Sequence, residues 1–198
     1  SSKGRAGIVL ANGSMSSNTS NEGVIRKNMI KGNAVECMVA LPAQLFSNTQ
    51  IPACLWFLSR DKSAGANGRS DRTNQVLFID ARKIASGRLS RTQIEFTESE
   101  LNELSQIYHR WRGTEFADDA DYEDVPGLCY SATTDVIERH NFNLSPGRYV
   151  GAADVEEDEA EYEEEMATLT AVLSEQMKTS TELDEKLRKA LMGVGYVV

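Results

Sequence analysis

Residues 34–59 read AVECMVALPAQLFSNTQIPACLWFLS. The stretch holds two short apolar runs, 34–41 and 53–59, split by a polar segment with Pro42 at one end and Pro52 at the other. Runs of this length that are bounded by turn residues predict buried strands rather than helices. The second run, Ala53–Ser59, is apolar almost throughout, as expected of a strand covered on both faces. Working outward, Ala6–Leu10 (AGIVL) predicts a further buried strand, followed by the turn dipeptide Asn12-Gly13, and Gln75–Asp80 (QVLFID) predicts a fourth. Between the first two strands, Glu22–Ile30 reads as a helix that Gly32-Asn33 stops. Ser63–Asn74 (SAGANGRSDRTN) reads as a mobile surface loop.

Beyond residue 95 helical signals take over. Thr97 and Glu100 form a capping box ahead of Leu101, Leu104, Ile107, Tyr108 and Trp111, which share one helical face. Phe116–Gly127 is acidic and irregular, Thr134–His140 predicts a short helix, and Phe142–Val150 (FNLSPGRYV) is extended and broken by proline. From Tyr162, positions 162, 166, 169, 173, 176, 180, 183, 187 and 190 are spaced alternately four and three apart, a coiled-coil seam with a polar break at Gln176 and Ser180. The acidic run Glu156–Glu165 falls in its first turns, and Gly193 ends it. The expected organisation is an α/β part over 1–95, a helical and extended linker region over 96–151, and an acidic coiled-coil tail over 152–198.

The chain has 198 residues, with 21 basic and 30 acidic side chains. The net charge of −9 argues against nucleic acid as a partner, but it averages two unlike regions. Residues 1–112 carry 15 bases and nine acids, a net +6, whereas residues 113–198 carry six and 21, a net −15. Such asymmetry suggests two surfaces with different partners. No apolar run approaches the roughly 20 residues of a membrane span, and no leader pattern opens the chain, so a cytoplasmic location without a membrane is expected. Cys37, Cys54 and Cys129 form no C-x-x-C pair, which points to inert packing residues rather than a metal site or a disulfide framework. His109 and His140 have no metal-like neighbour at helical spacing. The chain has no Gly-rich loop after a strand, no Walker sequence and no nucleophile elbow.

Several strings nevertheless recur together and in order: Asn12-Gly13; Glu22-Gly23 with Ile25-Arg26-Lys27; Leu41-Pro42 with Leu45-Phe46; Thr49 with Ile51-Pro52; and Asn143-Leu144-Ser145-Pro146 with Arg148-Tyr149. In this combination the chain, from Gly4 to Val150, resembles the modification subunit of type I restriction–modification systems, a family of N6-adenine DNA methyltransferases. Ala11 departs from the proline usual at that place. The resemblance implies that the chain is the C-terminal part of a Rossmann-like methyltransferase sheet using S-adenosylmethionine, followed by a helical extension ending in a long coiled-coil-like helix. It also implies that the cofactor loop and the Asn-Pro-Pro-Phe catalytic motif lie upstream, so that catalytic residues are expected outside this chain and the chain alone is expected to be inactive.

In an open α/β sheet, ligands bind beyond the carboxyl ends of the parallel strands. If 6–10 and 34–41 run one way and 53–59 the other, the loops at Asn12, Pro42 and Asn48–Pro52 converge on one rim. Phe46 stands where related adenine methyltransferases carry an aromatic residue over the flipped base. Phe46, Pro42 and Asn12 are therefore expected to line a target-base pocket, with a core role for Phe46 left open. Arg26, Lys27 and Lys31 are candidates for DNA-backbone contacts, although Glu22 and Arg26 at i, i+4 also suit a simple helix-stabilising pair. Met166, Leu169, Leu173, Leu183 and Leu187 are expected to dock on a partner. DNA and the specificity and restriction subunits of a type I complex are the implied partners, and no metal is expected. A non-catalytic interaction module that serves only assembly is the alternative.

Overall fold

The computed structural model describes residues 2–47, 49–65, 68–151 and 159–193; within the last segment, no side chain is described at 159–165, 167, 182 or 185. In chain order the elements are β1 (Arg5–Ala11), α1 (Glu22–Lys31), β2 (Val35–Ala40), β3 (Ala53–Ser59), β4 (Gln75–Asp80), the two-residue strands β5 (Gly87–Arg88) and β6 (Ile94–Glu95), α2 (Glu98–Arg112), β7 (Cys129–Thr133), α3 (Thr134–Arg139) and α4 (Glu159–Gly193). The chain divides into two compact units, Ser1–Ala153 and Asp154–Val198.

The first unit is built on one five-stranded sheet of order β1-β3-β2-β4-β7. β3 is antiparallel to both neighbours, with Ala11 opposite Ala53 and Ala40 opposite Cys54, while β2 and β4 are parallel. β1, β2 and β4 therefore share one direction, and β3 and β7 oppose it. The quoted stretch folds as its pattern requires. Successive side chains of a strand point to opposite faces, so Val76 and Phe78 of β4 join Met38, Trp56, Ile30 and Ile137 in one apolar core. Leu77 and Ile79 join Cys37, Val39, Ile107 and Trp111 in the other. Burying each of these larger side chains stabilises the fold by roughly 1.5–3 kcal/mol.

α2 forms where the capping box placed it. Glu100 N–H donates to Thr97 Oγ1 at 3.3 Å and Thr97 N–H donates to Glu100 Oε2 at 2.7 Å. Gly113, at φ 60°, closes the helix in the left-handed conformation that glycine adopts without strain.

Three expectations are corrected. β1 forms, but all seven of its residues are exposed, because it is the sheet edge with β3 as its single strand neighbour. Residue 95 does not mark a break in packing. β7 pairs with β4, and Phe142, Leu144, Tyr149 and Val150 enter the first core, with the Tyr149 ring stacked 3.9 Å from that of Phe78. The β7 sequence, CYSAT, carries little strand signal, and the edge that β4 offers draws it into the sheet. The 63–74 loop is not a free surface loop either. Arg72 within it is buried, and Arg69 and Ser70 donate backbone N–H groups to the carbonyls of Gly113 and Arg112. Residues 66 and 67 of that loop lie outside the described residues.

The second unit holds α4, a single helix of 35 residues. Met166, Leu169, Leu173, Leu183 and Leu187 of the seam are between 46% and 59% exposed. Gln176, Ser180 and Ala190 are exposed with them, and the side chain of Tyr162 lies outside those described. Thr170, Thr179 and Thr181 donate their hydroxyls to the carbonyls four residues earlier, which satisfies these polar groups within the helix itself. Glu156–Asp158 of the acidic run lie outside the described residues. Among the described residues no helix is long and apolar enough to cross a membrane.

Candidate functional site

The strand directions bring Ala11, Ala40, Ala53 and Asp80 to one end of the sheet. The loops leaving β1, β2 and β4, and the loop entering β3, therefore meet on a common rim. After β1 the chain turns through a 3-10 segment, Asn12–Met15. Met15 anchors it in the core, and its carbonyl accepts from Leu144 N–H at 2.9 Å.

This rim loop is held by Arg26. The residue is only 3% exposed, and its Nε donates to the Phe142 carbonyl at 3.2 Å. Its Nη1 donates to the carbonyls of Ser14 and Ser17, and its Nη2 donates to Asn18 Oδ1 at 3.1 Å. A guanidinium used in this way has no outward face for a phosphate. Arg26 thus joins α1, the rim loop and the 142–150 segment instead of contacting DNA.

Lys31 is also placed away from the rim. It ends α1 just before β2 begins, at the opposite end of the sheet, and pairs with Glu138 at 3.2 Å. Lys27 and Lys31 both stand over the Phe142 ring, at 5.5 and 5.6 Å from its centroid.

The three residues expected around the target base do not share one cleft. Pro42 is buried at the end of β2. Phe46 is 36% exposed, belongs to neither core, and lines a polar cleft with Thr49, Gln50, Thr92 and Gln93. Asn48, beside it in sequence, lies outside the described residues. Asn12 lines a different cleft of about 380 Å³ with Ala40, Arg82, Ser145, Gly147 and Arg148.

That second cleft contains groups the sequence patterns did not single out. Arg82 is clamped bidentately by Asp80, Nε to Oδ1 at 2.8 Å and Nη2 to Oδ2 at 2.5 Å. Hydrogen bonding to this carboxylate holds the Arg82 guanidinium above its usual range. Gly147 lies so close that a Cβ there would meet Arg82 Nη2 at 2.6 Å. The Asn12 Oδ1 atom is buried without a hydrogen-bond partner. The string SPGR at 145–148 was the available signal, but the residues it would contact come from β1, β2 and β4.

The other end of the sheet carries a second polar cluster. A β-bulge between Val35 and Cys37 shifts β2 out of register with β3 around Glu36. The carboxylate of Glu36 accepts from Tyr108 Oη at 2.9 Å and faces Arg72 Nε at 3.5 Å and Arg112 Nε at 3.4 Å. Lys62 Nζ donates to the carbonyls of Val35 and Gln75 at 2.8 and 2.7 Å, tying β2 to β4. Burial pushes its ammonium down to about 8. An acid inside the apolar run AVECMVAL was the one visible hint of this cluster.

All three cysteines are free and buried, and burial pushes the Cys37 thiol well above its ordinary range. His109 Nδ1 lies 2.8 Å from Thr114 Oγ1, and the His140 ring packs edge-on to Tyr149 at 5.1 Å. Among the described residues no group of three or more His, Cys, Asp or Glu side chains could hold a metal.

Comparison with known proteins places this fold. The family model described as N-6 DNA methylase matches residues 1–158. The chain belongs to the N-6 DNA methylase family. It is 45% identical, over 99% of its length, to the type I restriction enzyme HindI methylase subunit of Haemophilus influenzae, of which it covers 41%. It is 33% identical, over 98% of its length, to the type I restriction enzyme MjaIX methylase subunit of Methanocaldococcus jannaschii, of which it covers 32%. Among solved structures it resembles the type I restriction–modification methyltransferase subunit of Streptococcus thermophilus, with a TM-score of 0.58 and 27% identity over 75% of this chain and 27% of that one. The chain thus spans a third to two-fifths of these two curated relatives. The family expected from the ordered motifs is the family found.

Membership of the N-6 DNA methylase family implies S-adenosylmethionine in the parent enzyme. At the described rim the strand-end acid Asp80 is engaged on both oxygens by Arg82. No residue of this chain is assigned to the cofactor.

Proposed function

We propose that the chain is the C-terminal portion of the DNA adenine-N6 methyltransferase subunit of a type I restriction–modification complex. It contributes to the rim that receives the target base and to docking on the specificity subunit. Identity of 45% across 99% of the chain to a type I methylase subunit carries the reading. The chemistry supports it. An enzyme that methylates adenine N6 must take the base out of the duplex and hold it by stacking. Phe46 is the aromatic side chain at this rim that packs in neither core, which favours a stacking role over a packing one.

The proton and methyl transfers are assigned to residues outside this chain, as is S-adenosylmethionine binding, and the chain by itself is inactive. DNA and the specificity and restriction subunits are the partners in this reading, and the complex works in the cytoplasm. The seam Met166, Leu169, Leu173, Leu183 and Leu187 on α4 is the docking face for the specificity subunit. A long helix with an apolar stripe and no covering residues described on it suits packing against another helix.

The deciding experiment uses the full-length subunit assembled with its specificity subunit. Phe46→Ala should lower methyl transfer about ten- to hundred-fold, the scale of losing one base–aromatic stack, while assembly is unchanged. Unchanged methylation by a correctly assembled complex would reject the stacking role. Removing residues 152–198 should abolish co-purification with the specificity subunit, and retained binding would reject the docking role.

A further inference from the structure

We propose that the cleft between Asn12, Ala40, Arg82, Ser145, Gly147 and Arg148 is a nucleotide-binding subsite that takes one phosphodiester of the DNA strand on Arg148. This inference rests on the DNA-methyltransferase reading and adds to it the residue that meets the backbone. The cleft opens at the carboxyl ends of β1, β2 and β4, and its volume of about 380 Å³ falls in the range of small-ligand sites.

The charges in the cleft differ in kind. Arg82 is neutralised by Asp80, whose two oxygens it occupies. Arg148 is exposed on the turn Pro146–Arg148 and makes no ion pair among the described residues. The cleft therefore carries one uncompensated positive charge.

Facing it, the buried Asn12 Oδ1 lacks a donor, a state that costs about 1–3 kcal/mol unless a ligand supplies one. A ligand that satisfies both groups has an anionic oxygen and an N–H. A nucleotide has both, the phosphate for Arg148 and a base or amine N–H for Asn12. Gly147 permits the arrangement, because a side chain there would press on Arg82 and Asp80, the cleft wall. Arg148 thus takes the backbone-contacting role expected of Arg26, which is buried, and of Lys31, which lies at the far end of the sheet.

The test is titration of the full-length subunit, assembled with its specificity subunit, against a fluorescein-labelled duplex of about 20 base pairs, read by anisotropy across a salt series. A phosphate contact shows itself in the salt slope, and Arg148→Gln should weaken binding about five- to ten-fold and reduce the slope of log K against log salt by about 1. Arg148→Lys should recover the slope. Asn12→Ala should weaken binding about three- to five-fold with the slope unchanged, since it touches no phosphate. Arg69→Gln, at the opposite end of the strands, should leave both unchanged. An unaltered slope in Arg148→Gln, with the unsubstituted complex still binding DNA, overturns the subsite and leaves the functional reading standing. An equal drop in Arg69→Gln overturns it as non-specific charge, and unweakened binding by Asn12→Ala overturns the base contact. No DNA binding by the unsubstituted complex at low salt overturns the functional reading together with the subsite.

Discussion

The two ends of the sheet treat their polar residues in opposite ways. At the amino ends of β2 and β4, Glu36, Arg72, Arg112 and Lys62 are buried and Tyr108 is partly buried, and each is ion-paired or hydrogen-bonded to another of them or to a backbone carbonyl. At the carboxyl ends, among the described residues, Arg148 has no ion pair and Asn12 Oδ1 no donor. Charges paired with one another inside the fold hold structure, and groups without a counter-charge or donor at a strand-end cleft are available to a ligand. Substitutions at the first end should change stability, and those at the second should change binding.

The largest effect is expected at Glu36. Glu36→Ala leaves Arg72 and Arg112 buried without their carboxylate, a change that costs about 3–5 kcal/mol. A fall of that size in the stability from urea denaturation, a large fraction of a typical domain's total, is the outcome that supports the comparison. A loss within about 0.5 kcal/mol, the range of an ordinary surface change, would break it.

Gly68→Ala comes next. A Cβ there would sit 2.2 Å from the Arg112 carbonyl oxygen, a backbone atom that cannot swing aside, and 2.5 Å from Arg72 Nη1. Relieving that overlap should cost about 1–3 kcal/mol. A wild-type melting temperature in this variant would show that the 63–74 loop is not pinned to the end of α2.

Lys62 gives a pH test of the same end. Its folded value, about 8, lies below the ordinary lysine value of 10.5. The unfolded chain therefore binds the extra proton between those two values, and raising the pH favours the folded state. The cost of burying the charge is fully present below pH 8 and relieved by pH 10.5. Relative to Lys62→Met, the parent should gain on the order of 3 kcal/mol across that window. A flat difference would mean the amine stays charged or is already solvated.

The smallest effect on stability is expected at the rim. Asn12→Ala removes a buried acceptor that has no partner, so its stability should match or slightly exceed the parent's, by less than about 1 kcal/mol. A clear loss would show that Asn12 serves the fold, and would remove the contrast between the ends.

Much of this was legible in residues 1–80. The runs 34–41, 53–59 and 75–80 are short, apolar and bounded by Gly, Pro, Asn or Asp, and each became a strand within a residue or two of its expected ends. The capping box placed the start of α2 because both of its hydrogen bonds are local. The helix α4 was readable because helical spacing is also local. By contrast β7 was missed because CYSAT becomes a strand only through pairing with β4. The rim was half readable. Strand order and direction put Asn12, Pro42 and Phe46 at one end, but spacing along the chain does not say that Phe46 and Asn12 line separate clefts.

The sequence by itself determined four of the five strands of the central sheet, the α2 cap, the apolar stripe of the last helix and, through motifs in order, the family. These depend on interactions within a few residues of one another, or on strings that are read as strings. Only the tertiary structure decided which arginine is buried and which stands at the cleft. Arg26 and Arg148 are the same residue type, and each falls in one of the ordered motifs. The first meets carbonyls of Ser14, Ser17 and Phe142 brought in from distant segments, whereas the second is carried on a turn to the open end of the sheet. Burial and the supply of hydrogen-bond partners are properties of the packed chain, and they set the role of a charged side chain.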